Sequence, residues 1–383
     1  MALKIAKRGA VSPFIVMDVM RAAAERAAAG GDVLHLEVGQ PSTGAPAKVI
    51  EAAKAALDSD LLGYTLALGL EPLRERIARH YAEEYGASVD PARVVVTTGS
   101  SSAFTLSFLA AFEAGDRVGI ANPGYPAYRN ILQAMNVEPV MIPVGPETRF
   151  QATAELLERQ QDLKLDGLIV ASPSNPTGTM LSPAEVAALA KWCETNGVRL
   201  ISDEIYHGIT YGERAATAAG LSASAVVVNS FSKYFSMTGW RLGWMVVPPD
   251  LLRTVEVLAQ NLFISPPSLP QAAALAAFDA RDELDANVAR YRRNRDILLA
   301  RLPQAGFQTF ASPDGAFYLY ADVAHLTNDS EEFCRRMLAE AGVAATPGTD
   351  FDPGRGRAYV RFSFAGTEAD MEEAARRLIA WRV

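Results

Sequence analysis

The segment "NSFSKYFSMTGWRLGW", Asn229 to Trp244, sets one lysine among serines and aromatics, with an arginine eight residues later. Just before it, "AVVVN" reads as a buried strand, so the chain leaves its core and at once presents Ser230, Ser232, Lys233 and Arg241. A lysine placed in a sheltered site loses part of its proton affinity and becomes competent for Schiff-base chemistry. Taken alone, Lys233 reads rather as a surface lysine.

Four further groupings bear on that choice. "TTGSSSAF" follows a strand and opens a helix, so Ser100 and Ser101 could offer hydroxyls, amides and the positive helix end to a phosphate; an ordinary serine-rich helix cap has the same look. "SPSNPTG" turns sharply after "GLIVA" and leaves Asn175 at the exit, where the turn itself requires only Pro176 and Gly178. "LISDEIYHG" ends a strand with Asp203 and, three residues on, Tyr206. A carboxylate there is costly unless a cation or donor meets it, as a protonated heteroaromatic nitrogen would, although a helix N-cap is the alternative. "RAYVRFSFAG" places Arg361 in an apolar strand, where its guanidinium wants a two-toothed anion: an internal carboxylate or that of a ligand. Together these residues suit a phosphorylated pyridine aldehyde and an amino acid.

The elements that must hold these groups alternate along the chain. From about Arg93, short continuous apolar runs end in small or polar residues and are mostly separated by helical stretches: "RVVVTTG", "DRVGIANPGY", "EPVMIPV", "DGLIVASP", "VRLISDEIY", "AVVVNSFSK" and "LGWMVVPP". Such runs suit strands buried on both faces, hence an α/β fold with a mostly parallel central sheet flanked by helices. In that architecture ligands bind at the strand carboxyl ends, where the polar residues gather. "DELDANVARYRRNRDILLARL" reads as a long exposed helix leaving this region, and the remainder reads as a smaller α+β unit. The expected division is residues 1–45, an N-terminal segment joining the small domain; 46–280, the large ligand-binding domain; and 281–383, the C-terminal small domain.

The 383 residues carry 49% hydrophobic and 21% charged residues and a net charge of −8, without a basic run, which argues against nucleic-acid binding. Cys193 and Cys334 form no CxxC and no cluster with histidine, so neither a disulfide framework nor a metal site is expected. No apolar run reaches the roughly 18 residues of a membrane span. A soluble, cytoplasmic protein is expected.

"SNPTG", "SDEIY", "SFSKYFSMTGWRLGW" and "VRFSF", in this order and spacing, resemble the class I/II aminotransferases of pyridoxal-phosphate (PLP) fold type I, over nearly the whole chain. The resemblance implies a transaminase that moves an amino group between an L-amino acid and a 2-oxo acid. In that reading Lys233 forms the internal aldimine and shuttles the proton, and Asp203 keeps the pyridine nitrogen protonated. Tyr206 and Asn175 bond the phenolic oxygen, and Tyr125, in "ANPGYPAY", stacks on the ring. Ser100, Ser101, Ser230 and Arg241 hold the phosphate, with Ser232 closer to the lysine. Arg361 clamps the substrate carboxylate with help from Asn175 and the backbone at Gly39. Tyr64, in "GYTLALGL", matches a tyrosine that reaches the phosphate of the neighbouring subunit, which implies a homodimer; a packed loop aromatic is the other reading. A PLP-dependent β-lyase of the same fold shares every cofactor contact. A non-catalytic PLP-binding regulator is a third reading. Ser101 stands where relatives that prefer acidic substrates often carry lysine, and His207 is expected to be structural.

Overall fold

A computed structural model describes residues 3–160 and 163–381. Its strands are β1 (Leu34–His35), β2 (Val94–Thr97), β3 (Arg117–Asn122), β4 (Glu138–Pro143), β5 (Gly167–Ala171), β6 (Arg199–Asp203), β7 (Val226–Ser230), β8 (Gly243–Val246), β9 (Thr309–Phe310), β10 (Tyr318–Asp322), β11 (Val343–Ala344), β12 (Thr346–Pro347) and β13 (Tyr359–Ser363). Seven of them form one sheet in the order β2-β8-β7-β6-β5-β3-β4. All neighbours run parallel except β8, which is antiparallel to both β2 and β7. Every residue of β2, β7 and β8 is buried, as the continuous apolar runs require of strands covered on both faces.

This order decides where the polar residues go. The parallel strands β3, β5, β6 and β7 all point the same way, so Tyr125, Asn175, Asp203 and Lys233 follow their carboxyl ends on one edge of the sheet. Because β8 reverses direction and pairs Gly243 with Ser230, Arg241 arrives at that same edge from the other side.

The rest of the chain builds two smaller sheets. An antiparallel one has the order β12-β13-β10-β9, and β13 carries Arg361 opposite Thr346 and Tyr320. In the other, β1 pairs in parallel with β11, so residues near the start of the chain join the C-terminal region. The helix Arg281–Arg301 departs from the exposed helix expected. Leu284, Asn287, Tyr291, Asn294 and Leu298 form a buried stripe along it, and Asn294 Nδ2 donates to the carbonyls of Phe364 and Gly366 at 2.9 Å. The two buried asparagines break the apolar periodicity from which a packed face would have been read. No helix among the described residues is long and apolar enough to cross a membrane.

Candidate active site

A cavity of about 210 Å³ opens over the carboxyl edge of the large sheet, lined among others by Gly39, Ser100, Ser101, Tyr125, Asn175, Asp203, Tyr206, Ser232, Lys233, Arg241 and Arg361. Lys233 Nζ donates to the Gly39 carbonyl at 2.6 Å and stands 5.7 Å from the centre of the Tyr206 ring. Burial, then the Arg361 and Arg241 guanidiniums, pull its ammonium down to about 8, while Asp203 opposes them. Such an amine gives up its proton near neutral pH, the requirement for a nucleophile or a proton shuttle. Gly39 must lack a side chain here, since a Cβ would stand 1.7 Å from the Tyr318 hydroxyl.

Asp203 ends β6 and is buried. One carboxylate oxygen accepts from the Ile205 amide at 3.1 Å, and the other accepts a short bond from Tyr128 Oη. Burial pushes its pKa up to about 6 against those donors and Lys233. A cationic N–H in the cavity would offset that cost. Tyr206 Oη shares a 2.7 Å bond with Tyr318 Oη.

The helix Gly99–Ala111 starts at this edge and presents Ser100 and Ser101 to the cavity. Gly243 packs so closely on that start that a Cβ would lie 2.9 Å from the Gly99 carbonyl carbon and 3.0 Å from the Ser100 nitrogen. Arg241 lines the same end in a left-handed conformation at φ 54°. The start of a thirteen-residue helix, facing a guanidinium and three hydroxyl-bearing side chains, Ser100, Ser101 and Ser232, has the chemistry to receive a phosphate. Ser230 sits apart from it: its hydroxyl is buried, 2.9 Å from Ser232 Oγ and 3.2 Å from the Leu242 carbonyl. Ser232, given a lesser place in the sequence reading, holds the cavity wall.

Arg361 is buried, with Nη1 donating to Asn175 Oδ1 at 2.8 Å and Nη2 to Thr346 Oγ1 at 3.1 Å and, by a short bond, to the Glu37 carbonyl. The Tyr318 and Phe351 rings flank it, 4.4 and 4.7 Å from Cζ to centroid. Among the described residues its Nε has no partner and no carboxylate contacts the guanidinium, so the internal ion pair is not formed there and the charge suits an anion from outside.

Tyr64 is 84% exposed and away from this cavity, on the loop between the helices Ala47–Ser59 and Glu71–Tyr85. His207 bonds Tyr85 Oη and the Ser172 carbonyl, each at 3.0 Å, and burial holds its imidazole neutral, down to about 3. Tyr128, Thr238 and Tyr318 line the cavity without having been singled out in the sequence. Tyr128 carried a usable signal, a second tyrosine three residues after Tyr125 in "ANPGYPAY". Tyr318 carried none, standing in "GAFYLYADV" among residues that read as core. The N-terminal helix Ile15–Ala28 adds an apolar wall through Val16, Met17 and Met20, beside Phe14 and Ile131.

A sheltered amine of low basicity, a helix start faced by an arginine and serines, and a buried guanidinium are what a phosphorylated aldehyde and an amino acid would require of a site. A family model for aminotransferase class I and II matches residues 31–378, and the chain belongs to that family. It is 53% identical to the valine–pyruvate aminotransferase of Mycobacterium tuberculosis over 99% of this chain and 98% of that protein. The crystal structure of an aminotransferase from Mycobacterium tuberculosis superposes with a TM-score of 0.97 at 53% identity, covering 99% of both chains. An aspartate aminotransferase from Thermus thermophilus, solved with maleate, gives 0.93 at 31% identity, covering 99% of this chain and 100% of that one.

Proposed function

We propose that this aminotransferase uses pyridoxal 5′-phosphate and moves the amino group of a neutral aliphatic L-amino acid, with valine as the representative, to a 2-oxo acid such as pyruvate. The observation that carries the substrate class is the wall of Phe14, Val16, Met17, Met20 and Ile131 in the same cavity as the Arg361 clamp. The name of the relative from Mycobacterium tuberculosis supports it.

When bound, the cofactor supplies an electron sink for charge developing at the substrate Cα. The other tasks fall to the chain. Ser100, Ser101, Ser232, Thr238 and Arg241 hold the phosphate, with Ser230 behind Ser232. Asp203, itself held by Tyr128, keeps a proton on the ring nitrogen. Tyr206 and Asn175 hydrogen-bond the phenolic oxygen, Tyr318 braces Tyr206, and Tyr125 covers a ring face. Arg361 and Asn175 fix the substrate carboxylate with Cα facing Lys233, and Lys233 Nζ takes and returns the Cα proton. We further read the enzyme as a cytoplasmic homodimer, with Tyr64 reaching the phosphate across the interface. The large domain would span 46–280 and the small one would combine 1–45 with 281–383.

The test is a panel of amino acids offered with pyruvate and 2-oxoglutarate to holoenzyme and to Lys233→Ala. The variant should fold, by circular dichroism, and lose on the order of 10³-fold or more in transamination. Transfer from aspartate faster than from valine would sink the substrate assignment.

A further inference from the structure

The N-terminal helix Ile15–Ala28 walls the substrate cavity yet has little core of its own. Only Val16 and Ala23 of its fourteen residues are buried, and no side chain of its own caps its start. Its first two amides are met instead from the far end of the chain. Ile15 N donates to Asp350 Oδ1 at 3.0 Å and Val16 N to Asp350 Oδ2 at 3.3 Å. A buried carboxylate, both oxygens engaged at a helix start, is a strong and directional cap.

Asp350 is itself tightly placed. It is fully buried and closes the short turn Gly348–Asp350, which follows β12 directly. β12 pairs with β13 so that Thr346 faces Arg361, and Thr346 Oγ1 accepts from the Arg361 guanidinium. Arg129, on the helix that Tyr125 precedes, donates through Nη2 to the Asp350 carbonyl at 2.8 Å. One residue therefore links the carboxylate clamp, the helix following Tyr125 and the apolar wall.

We propose that Asp350 is a specificity-positioning residue: its carboxylate holds the first turn of the N-terminal helix so that Val16, Met17 and Met20 close on the substrate side chain in register with the Arg361 clamp. The substrate side of this inference rests on the aliphatic reading above. Without the carboxylate the cavity keeps its clamp, its lysine and its phosphate receptor and loses its grip on bulk at the side chain. Discrimination by size then falls while turnover of a small amino acid persists.

The experiment compares holoenzyme with Asp350→Ala and Asp350→Asn, using valine and alanine as donors to 2-oxoglutarate. Asp350→Ala should lower kcat/KM for valine about 10-fold, mainly through KM, while alanine changes less than about threefold. Asp350→Asn keeps an acceptor oxygen and should fall between. A second pair of variants leaves Asp350 in place. Ile15→Pro removes the donating amide at a helix position that accepts proline, and Ile15→Ala keeps it. Only Ile15→Pro should reduce the valine-to-alanine ratio, and this pair decides the matter where Asp350→Ala fails to fold. Hydrogen exchange of amides 16–20 should be faster in Asp350→Ala and in Ile15→Pro than in wild type. Equal losses for valine and alanine, or unchanged exchange in these variants, would overturn the proposal. A wild-type enzyme that transfers from aspartate faster than from valine would refute the substrate reading instead, and the exchange comparison then decides on Asp350 by itself.

Discussion

Asp203 and Arg361 are each placed where an ordinary protein would not leave a charge. Burial raises the Asp203 pKa from an ordinary value of 3.8 to about 6. In the cofactor-free enzyme its stabilising contribution is therefore full below its ordinary value and lost as pH rises through 6. Asparagine, neutral throughout, gives the comparison: the unfolding free energy of cofactor-free Asp203→Asn relative to wild type should rise by about 2 kcal/mol from pH 4 to pH 7.5 in urea titrations. A difference that stays flat would mean that the carboxyl titrates as in water. For Arg361, replacement by lysine keeps the charge and loses the fork, so kcat/KM for the amino donor should fall by on the order of 100-fold, with cofactor affinity little changed. Both residues were legible in the sequence because a charge inside an apolar run needs a reason. Tyr318 was not, because its hydroxyl matters only through Tyr206 and Gly39, two partners distant in sequence that nothing local announces.

The large sheet shows the same division among elements. Runs such as "GLIVA" and "VVVNS" reveal strands buried on both faces, and the polar residues after them mark the functional edge. The direction of β8 was hidden, since a run buried on both faces reads alike either way. That direction brings Gly243 against the start of the helix Gly99–Ala111. Gly243→Ala should displace this helix start and with it Ser100 and Ser101, weakening cofactor binding by roughly tenfold and costing about 1–3 kcal/mol in stability. Titration with pyridoxal phosphate and thermal melts would check both; unchanged cofactor affinity would show that the helix start does not carry the phosphate. The N-terminal helix reads from the sequence as a generic helix former; the side chains it turns to the cavity and the Asp350 carboxylate that holds its first turn are features of the fold.

Across the whole molecule, Leu61, at 97% exposure, sits close in sequence to Tyr64 and to Leu66, which is also exposed. Apolar groups so placed ask for a covering surface. If that surface is a second copy, Leu61→Asp combined with Leu66→Asp should shift sedimentation from dimer to monomer. Pyridoxal phosphate binding should weaken about tenfold as Tyr64 of the partner subunit is lost. A wild-type protein that sediments as a monomer would remove Tyr64 from the site.

The order of the residues along the chain also gives the site a history. The phosphate receptor, Asp203 and Lys233 lie between residues 99 and 241, whereas the clamp needs Glu37 and Arg361, which meet across 324 positions. On the ribosome the residues proposed to hold the phosphate, with Asp203 and Lys233, are thus made well before Arg361. Translation itself imposes an order, so a chain stalled after β8 would carry the residues proposed to receive the phosphate and lack the arginine proposed to hold the substrate.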